Sequence, residues 1–405
     1  MREPLRHRPF RFLVAGRVAV HLGNAVAPIA LAFAVLDLTG SVIDLGIVVG
    51  ARSIANVALL LFGGVLADRL PRALVLQGST TLAGLTQGLV AAAVLGGFAS
   101  IPLLACLSVL NGAAAATSMP ATASLVPQTV PPGLLRQANA LARMGTTTAT
   151  IIGAAAGGML VGVVGPGWGI AFNAGTFLVA SALFARMRSV TAPVPPSERS
   201  RPLAELREGW REFSSRTWVW VVVAQFMVVN AVIVGATTVL GPVIADGSFG
   251  RTAWGLVLAA ETAGALAGGV IAARWQPRRA LYVGVALTVL EAAPLVVLAE
   301  APTVPFLMTT MFVVGVVIEQ FVVAWDVALQ ENVPQDKLAR VYSYDALGSF
   351  VAIPVGEMAA GPLAQHFGMR ATLLGGAVLL VLATLGALCS KEVRALTSVP
   401  AKVSD

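Results

Sequence analysis

Phe12-Leu13-Val14-Ala15-Gly16-Arg17-Val18-Ala19-Val20-His21-Leu22-Gly23-Asn24-Ala25-Val26-Ala27-Pro28-Ile29-Ala30-Leu31-Ala32-Phe33-Ala34-Val35-Leu36 is apolar apart from Arg17, His21 and Asn24. Crossing the hydrocarbon core of a bilayer takes about 20 predominantly apolar residues in a helix, and this run supplies them. Arg2, Arg6, Arg8 and Arg11 precede it, as in a signal peptide. The run is longer than a signal peptide's apolar region and further runs follow, so it reads as an uncleaved first span.

Eleven more runs of the same kind follow: Ile43–Leu66, Ala73–Leu95, Ile101–Val126, Ala138–Val164, Trp168–Met187, Thr217–Ile244, Thr252–Ala273, Ala280–Ala299, Val304–Leu329, Val341–His366 and Ala371–Leu388. Composition agrees. Of 405 residues 57% are hydrophobic and only 12% charged, against roughly 25% charged in soluble domains. Helices are expected because lipid offers no partner to a free N–H or C=O. A membrane β-barrel needs alternating strands of about 10 residues, and these runs are longer and do not alternate.

The net charge of +7 sits in short segments between the apolar runs. That is a loop pattern rather than a nucleic-acid surface, so no nucleic-acid partner is expected. With the N-terminus inside, Arg69 and Arg72, Arg136, the stretch from Arg186 to Arg216, Arg274 with Arg278 and Arg279, Lys337 with Arg340, and Lys391, Arg394 and Lys402 all fall on the cytoplasmic side. The outer loops hold Arg251 and Arg370. The positive-inside rule thus predicts a multi-pass cell-membrane protein with both termini cytoplasmic.

A polar stretch, Arg188 to Arg216, divides the runs into two sets of six. Its second part carries Leu203, Leu206, Trp210 and Phe213 at helical spacing, as in an interfacial helix. The expected organisation is a bundle over 1–187, a linker over 188–216, a second bundle over 217–390 and a tail over 391–405. The halves also echo each other. Val126-Pro127-Gln128 recurs as Val333-Pro334-Gln335, and Gly63-Gly64-Val65 as Gly268-Gly269-Val270. The expected fold is an all-α membrane protein of 12 transmembrane helices in two pseudo-symmetric six-helix bundles. Parallel repeats of this kind are a transporter architecture.

Gly64-Val65-Leu66-Ala67-Asp68-Arg69-Leu70-Pro71-Arg72 resembles the helix 2–3 signature G-x-L-a-D-R-x-x-R of the major facilitator superfamily, and the resemblance extends over nearly the whole chain. The family often has a further basic residue after Arg72, where this chain has Ala73. The stretches Ala32-Phe33-Ala34-Val35-Leu36-Asp37 and Arg340-Val341-Tyr342-Ser343-Tyr344-Asp345 resemble the drug, macrolide and siderophore exporter branch. Gly153-Ala154-Ala155-Ala156-Gly157-Gly158 fits the start of the drug antiporters' helix-five motif, and its small residues also read as a close helix contact. An arginine within the fourth helix, common among proton antiporters of the superfamily, is absent.

Ionisable groups at helix centre cost roughly 2.5–3.5 kcal/mol on insertion scales, so each needs a cavity or a partner. Arg17, His21 and Asn24 fall at i, i+4 and i+7 on one face of the first helix. Glu319, Asp326 and Gln330 share a face of the tenth. The resemblance implies that helices one, four, seven and ten line a central cavity. Its candidate lining is then Arg17, His21, Asn24, Asn111, Gln225, Asn230, Glu319, Gln320 and Asp326, with Phe226, Met311 and Trp325 as apolar wall. Such a pocket suits an amphipathic organic molecule, cationic ones included. Glu319 and Asp326 are the candidates for proton coupling. Gly64, Asp68, Arg69 and Arg72 are the candidates for a conformational latch. Arg52, Arg143, Glu261, Asp345 and Glu357 are candidate intramembrane ion-pair members.

The three histidines are far apart and the two cysteines lie in apolar runs, so no metal is expected. Gly-x-Ser-x-Gly and the phosphate-loop pattern are both absent, so neither an enzyme nor an ATP-driven pump is expected, and no cofactor. The leading reading is a proton-coupled exporter acting as a monomer in the lipid bilayer. An importer or uniporter, or a non-transporting membrane sensor with this fold, are the alternatives.

Overall fold

The computed structural model describes residues 3–69, 72–123, 125–187, 209–275 and 277–397, with the side chains of 60–72, 119–124, 132, 335, 336 and 339 outside that description. Twelve of the described helices are long and apolar enough to cross a membrane. They are α1 (Arg8–Thr39), α2 (Val42–Arg69), α3 (Arg72–Leu95), α4 (Ile101–Ala123), α5 (Leu135–Val164) and α6 (Pro166–Ala185), then α7 (Thr217–Gly247), α8 (Arg251–Arg274), α9 (Ala280–Glu300), α10 (Val304–Asn332), α11 (Arg340–Phe367) and α12 (Met369–Cys389). No strand occurs among the described residues. The chain is therefore a multi-pass, all-α membrane protein, with its backbone polar groups paired inside each helix as lipid demands.

Three of the later spans are not uniform, and a proline explains each. In α7 a π-helical turn covers Ala236–Leu240, just ahead of Pro242. The proline ring cannot sit against the carbonyl four residues back, and one wide turn relieves the clash. In α9 the stretch Thr288–Glu291 tightens to a 3-10 turn before Pro294. In α11 the helix stops at Phe350 and restarts at Ile353, beside Pro354. The expected fourth span also stops short, at Ala123, and Val126–Gln128 forms a separate 3-10 turn around Pro127.

The chain gathers into two compact units. The first comprises Met1–Ser197 with Thr238–Ala259, and the second Glu198–Thr237 with Ala260–Asp405. The end of α7 and the start of α8 thus belong with the first six helices. In the first unit α2 packs on α4, α3 on α6, and α1 on α5 and α6. Its main core joins Phe10, Leu13, Leu76, Leu125, Phe184 and Met187. In the second, Trp218, Val222, Val285, Phe321, Trp325 and Val341 form the core.

Within each unit glycine sets the closest approach, and the repeat is visible in where it does so. Gly112 of α4 lies against the Arg52 carbonyl of α2, and Gly315 of α10 lies against the Glu261 carbonyl of α8. Gly153 of α5 lies against the Leu22 carbonyl of α1, and Gly356 of α11 against the Ala231 carbonyl of α7. Corresponding glycines are 203 residues apart and corresponding carbonyls 209 residues apart. Both units thus build their helix pairs on small residues, which let backbones touch where lipid gives no hydrophobic drive to association.

Candidate functional site

A cavity of about 380 Å³ lies inside the first unit. From α1 it takes Arg17, Val20, His21 and Asn24, from α2 Arg52, and from α4 Asn111, Ala114, Ala115 and Ser118. From α3 come Leu76, Ser79, Thr80 and Ala83, and from α6 Phe177 and Phe184. The small side chains of Ala83, Ala114 and Ala115 leave the room, and the two phenylalanines supply an apolar side.

The polar groups of this wall divide by whether they are already engaged. Arg52 Nε donates to Asn111 Oδ1 at 3.0 Å, and Asn111 Nδ2 donates to Thr86 Oγ1 at 3.4 Å. Asn111 is only 3% exposed, so it acts as a relay between α2 and α3. The Ser79 and Thr80 hydroxyls both donate to the Leu76 carbonyl of their own helix. Arg17, in contrast, has its Nε buried without a hydrogen-bond partner among the described residues. Arg17, His21 and Asn24 thus share the wall of one cavity, as their spacing on α1 allows.

The polar residues of the second unit sit in a different setting. Gln225 of α7 is 3% exposed, and its Nε2 donates to Thr288 Oγ1 at 2.9 Å and Thr384 Oγ1 at 3.2 Å. It ties α7 to α9 and α12. Asn230 Nδ2 donates to the Ser349 carbonyl at 2.9 Å, an acceptor that the break in α11 leaves without its usual intrahelical donor. Between α10 and α11 two bonds run in opposite senses. Trp325 Nε1 donates to Asp345 Oδ2 at 2.9 Å, and the Tyr342 hydroxyl donates to Asp326 Oδ1 at 2.9 Å. Gln320 Nε2 donates to the Gly268 carbonyl of α8 at 3.3 Å. The Glu319 side chain lies along Gly268 and Gly269 of α8, so it and Asp326 face different neighbours. Phe226 stacks on Phe321 at 4.0 Å, and Phe321 on Trp325 at 6.0 Å. Met311 is buried.

The family model of the Major Facilitator Superfamily matches residues 13–357 of this sequence. This chain belongs to that superfamily. Among curated relatives of this superfamily member, the multidrug efflux pump Tap of Mycolicibacterium fortuitum is 27% identical over 389 residues, covering 92% of each chain. The multidrug efflux pump Tap of Mycobacterium tuberculosis is 26% identical over 412 residues, covering 99% of this chain and 97% of the relative. Solved structures share the fold. The nucleoside transporter NupG aligns with a TM-score of 0.74 at 14% identity, over 95% of this chain and 100% of that one. A bacterial homologue of the iron transporter ferroportin aligns with a TM-score of 0.72 at 16% identity, over 95% and 99%.

The other residues singled out in this superfamily member fall as follows. The side chains of Gly64, Asp68, Arg69 and Arg72 lie outside the described residues, although the helix end at Arg69 and the helix start at Arg72 are described. Arg143 is exposed on α5, and Glu357 is buried on α11 near Gly235 of α7. Glu261 stands where α8 meets Gly315. The sequence alone does not point to α3 and α6 as cavity walls. The available signal is the run of polar residues from Gln77 to Thr81, with Ser79 and Thr80 placed one turn from the small Ala83. Nor does it pair Arg251 with Asp37. In the first unit Arg251 donates through Nη1 and Nη2 to both Asp37 carboxylate oxygens, at 2.9 and 2.5 Å, and through Nε to Asp246 Oδ1 at 2.7 Å. Its guanidinium also lies 4.8 Å from the Phe33 ring centre.

Proposed function

We propose that this protein is a secondary active exporter of small amphipathic or hydrophobic organic molecules, drug-like, macrolide-like or siderophore-like compounds among them, driven by protons. The observation that carries the reading is the near full-length similarity to two relatives named as multidrug efflux pumps. Under this reading the bundles 1–187 and 217–390 alternate access around their cargo as a monomer, joined by 188–216 and followed by the cytoplasmic tail 391–405. Both termini face the cytoplasm. Arg17, His21, Asn24 and Asn111 contribute to cargo binding in the first bundle, and Gln225, Phe226, Asn230, Met311, Gln320 and Trp325 serve in the second. Glu319 and Asp326 carry the coupling proton, Gly64, Asp68, Arg69 and Arg72 form the latch, and Arg52, Arg143, Glu261, Asp345 and Glu357 balance charge within the membrane.

The test is dye extrusion from efflux-deficient cells that make the protein. Extrusion should accelerate over cells lacking it and stop when the proton gradient is collapsed. Asp326→Asn and Glu319→Gln should each slow it at least tenfold. Unchanged extrusion in both variants would remove the proton assignment, and proton-driven accumulation in place of extrusion would reverse the direction.

A further inference from the structure

We propose that the cavity of the first unit is a site for an organic anion, an amphipathic molecule whose carboxylate sits on Arg17 and whose apolar body lies against Phe177 and Phe184. The Arg17 guanidinium and the His21 imidazole face this one chamber, and no aspartate or glutamate is among its described lining residues. A chamber with that charge inside low-dielectric walls repels cations and concentrates anions.

Which group meets the anion follows from the engaged donors. Asn111 spends its amide on Arg52 and Thr86, and the Ser79 and Thr80 hydroxyls turn back onto their own helix. Arg17 is different. Its guanidinium stays charged under all ordinary conditions, and its Nε is buried without an acceptor among the described residues. A buried donor on a charged group is costly to leave unmade. The planar fork of arginine matches the two oxygens of a carboxylate. One turn further along α1, His21 offers a second ring donor when protonated, and Asn24, exposed at the far end of the same face, offers a neutral one. The volume of about 380 Å³ lies toward the small end of the roughly 300–1,000 Å³ of small-molecule pockets. Taken as cargo, the anion rests on the export reading; taken as a bound ligand, it stands independently of it.

Two probes that share a fluorophore and differ in charge test the sign of the site. They are N-dansyl-6-aminohexanoate, a carboxylate, and dansylcadaverine, an ammonium, each titrated by fluorescence onto the purified full-length protein in a neutral detergent at pH 7. The carboxylate is expected to bind at least tenfold more tightly than the ammonium. Arg17→Gln should weaken the carboxylate at least tenfold, with Arg17→Lys between the two. Because loss of Arg17 can disturb folding, Asn24→Asp provides the second variant. It adds a negative charge at the exposed end of the stripe, and should weaken the carboxylate and strengthen the ammonium. Equal or tighter binding of the ammonium by the native protein, no binding of the carboxylate, or an unchanged carboxylate affinity in both Arg17→Gln and Asn24→Asp overturns the proposal. Displacement by phosphatidylglycerol but not by free benzoate also overturns it, since that assigns the site to a lipid headgroup. Flux in proteoliposomes separates the two readings: carboxylate binding without any dye transport sinks export and leaves this site, whereas ammonium transport without carboxylate binding does the reverse.

Discussion

Single residues in this protein do their work through partners distant in sequence, and the Arg251 cluster is the clearest case. One guanidinium holds two aspartates, Asp37 and Asp246, with the Arg251 side chain 22% exposed and those of Asp37 and Asp246 43% and 39% exposed. Exposed pairs contribute only about 0.2–1 kcal/mol, yet a two-pronged contact raises that toward the upper end. A double-mutant cycle of Arg251→Gln and Asp37→Asn, read by thermal unfolding of the purified protein, should give a coupling of about 0.5–1 kcal/mol in low salt. The coupling should shrink in high salt, and strict additivity would show that the pair contributes nothing. Partners of this kind are what a sequence hides. The spacing of Arg17, His21 and Asn24 is legible because one helix carries all three. The bonds from Gln225 to Thr384 or from Trp325 to Asp345 are not, because hydropathy says nothing about which span lies beside which.

At the scale of the helix, the glycine contacts decide which spans pair. A Cβ on Gly153 would lie 2.5 Å from the Leu22 carbonyl oxygen and 2.9 Å from the Ala25 Cβ. Backbone cannot yield there as a flexible side-chain end can, and overpacking costs typically about 1–3 kcal/mol. Gly153→Ala should therefore lower the unfolding temperature and the yield of monodisperse protein. Gly175→Ala on α6, where nothing lies within 4 Å of the added atom, should leave both unchanged. Equal tolerance of the two would show that α1 and α5 do not need this contact. The helix-five glycines were legible as a close contact from their spacing, but their partners on α1 were not. The interruptions of α7, α9 and α11 had a visible cause in Pro242, Pro294 and Pro354. The form each takes, a π turn, a 3-10 turn or a clean stop, is not written in the local sequence, since Pro28 lies inside an unbroken α1.

Across the molecule, hydropathy alone predicts the twelve spans, because each needs only length and apolarity. The division of the chain is subtler, since 238–259 gathers with the first six helices and the count of spans does not foretell it. Charge also joins distant segments in the second unit. Glu212 accepts from Arg216 at 2.7 Å and from Lys337 at 3.0 Å, and Arg216 also reaches the Asn332 carbonyl at the end of α10 at 2.6 Å. The hydrogen bond from Arg216, and then that from Lys337, holds the Glu212 carboxyl below the usual carboxylate range. A depressed folded-state value means that this stabilisation is present above the unfolded value and fades as pH falls through the folded one. Thermal stability should therefore decline on acidification below the ordinary glutamate range, and Glu212→Gln should be less stable at neutral pH and flatter over that acidic range. A parallel loss in both proteins would place the acid sensitivity elsewhere. The other distant join lies at the chain's end, where Glu392 accepts the Trp218 backbone N–H at 3.0 Å, in the first turn of α7. The free amides at a helix start favour a carboxylate there. Clipping the protein at Ser390 would thus fray a helix that begins more than 170 positions earlier, so a purification handle or reporter fusion belongs after Leu396, where it leaves that cap in place.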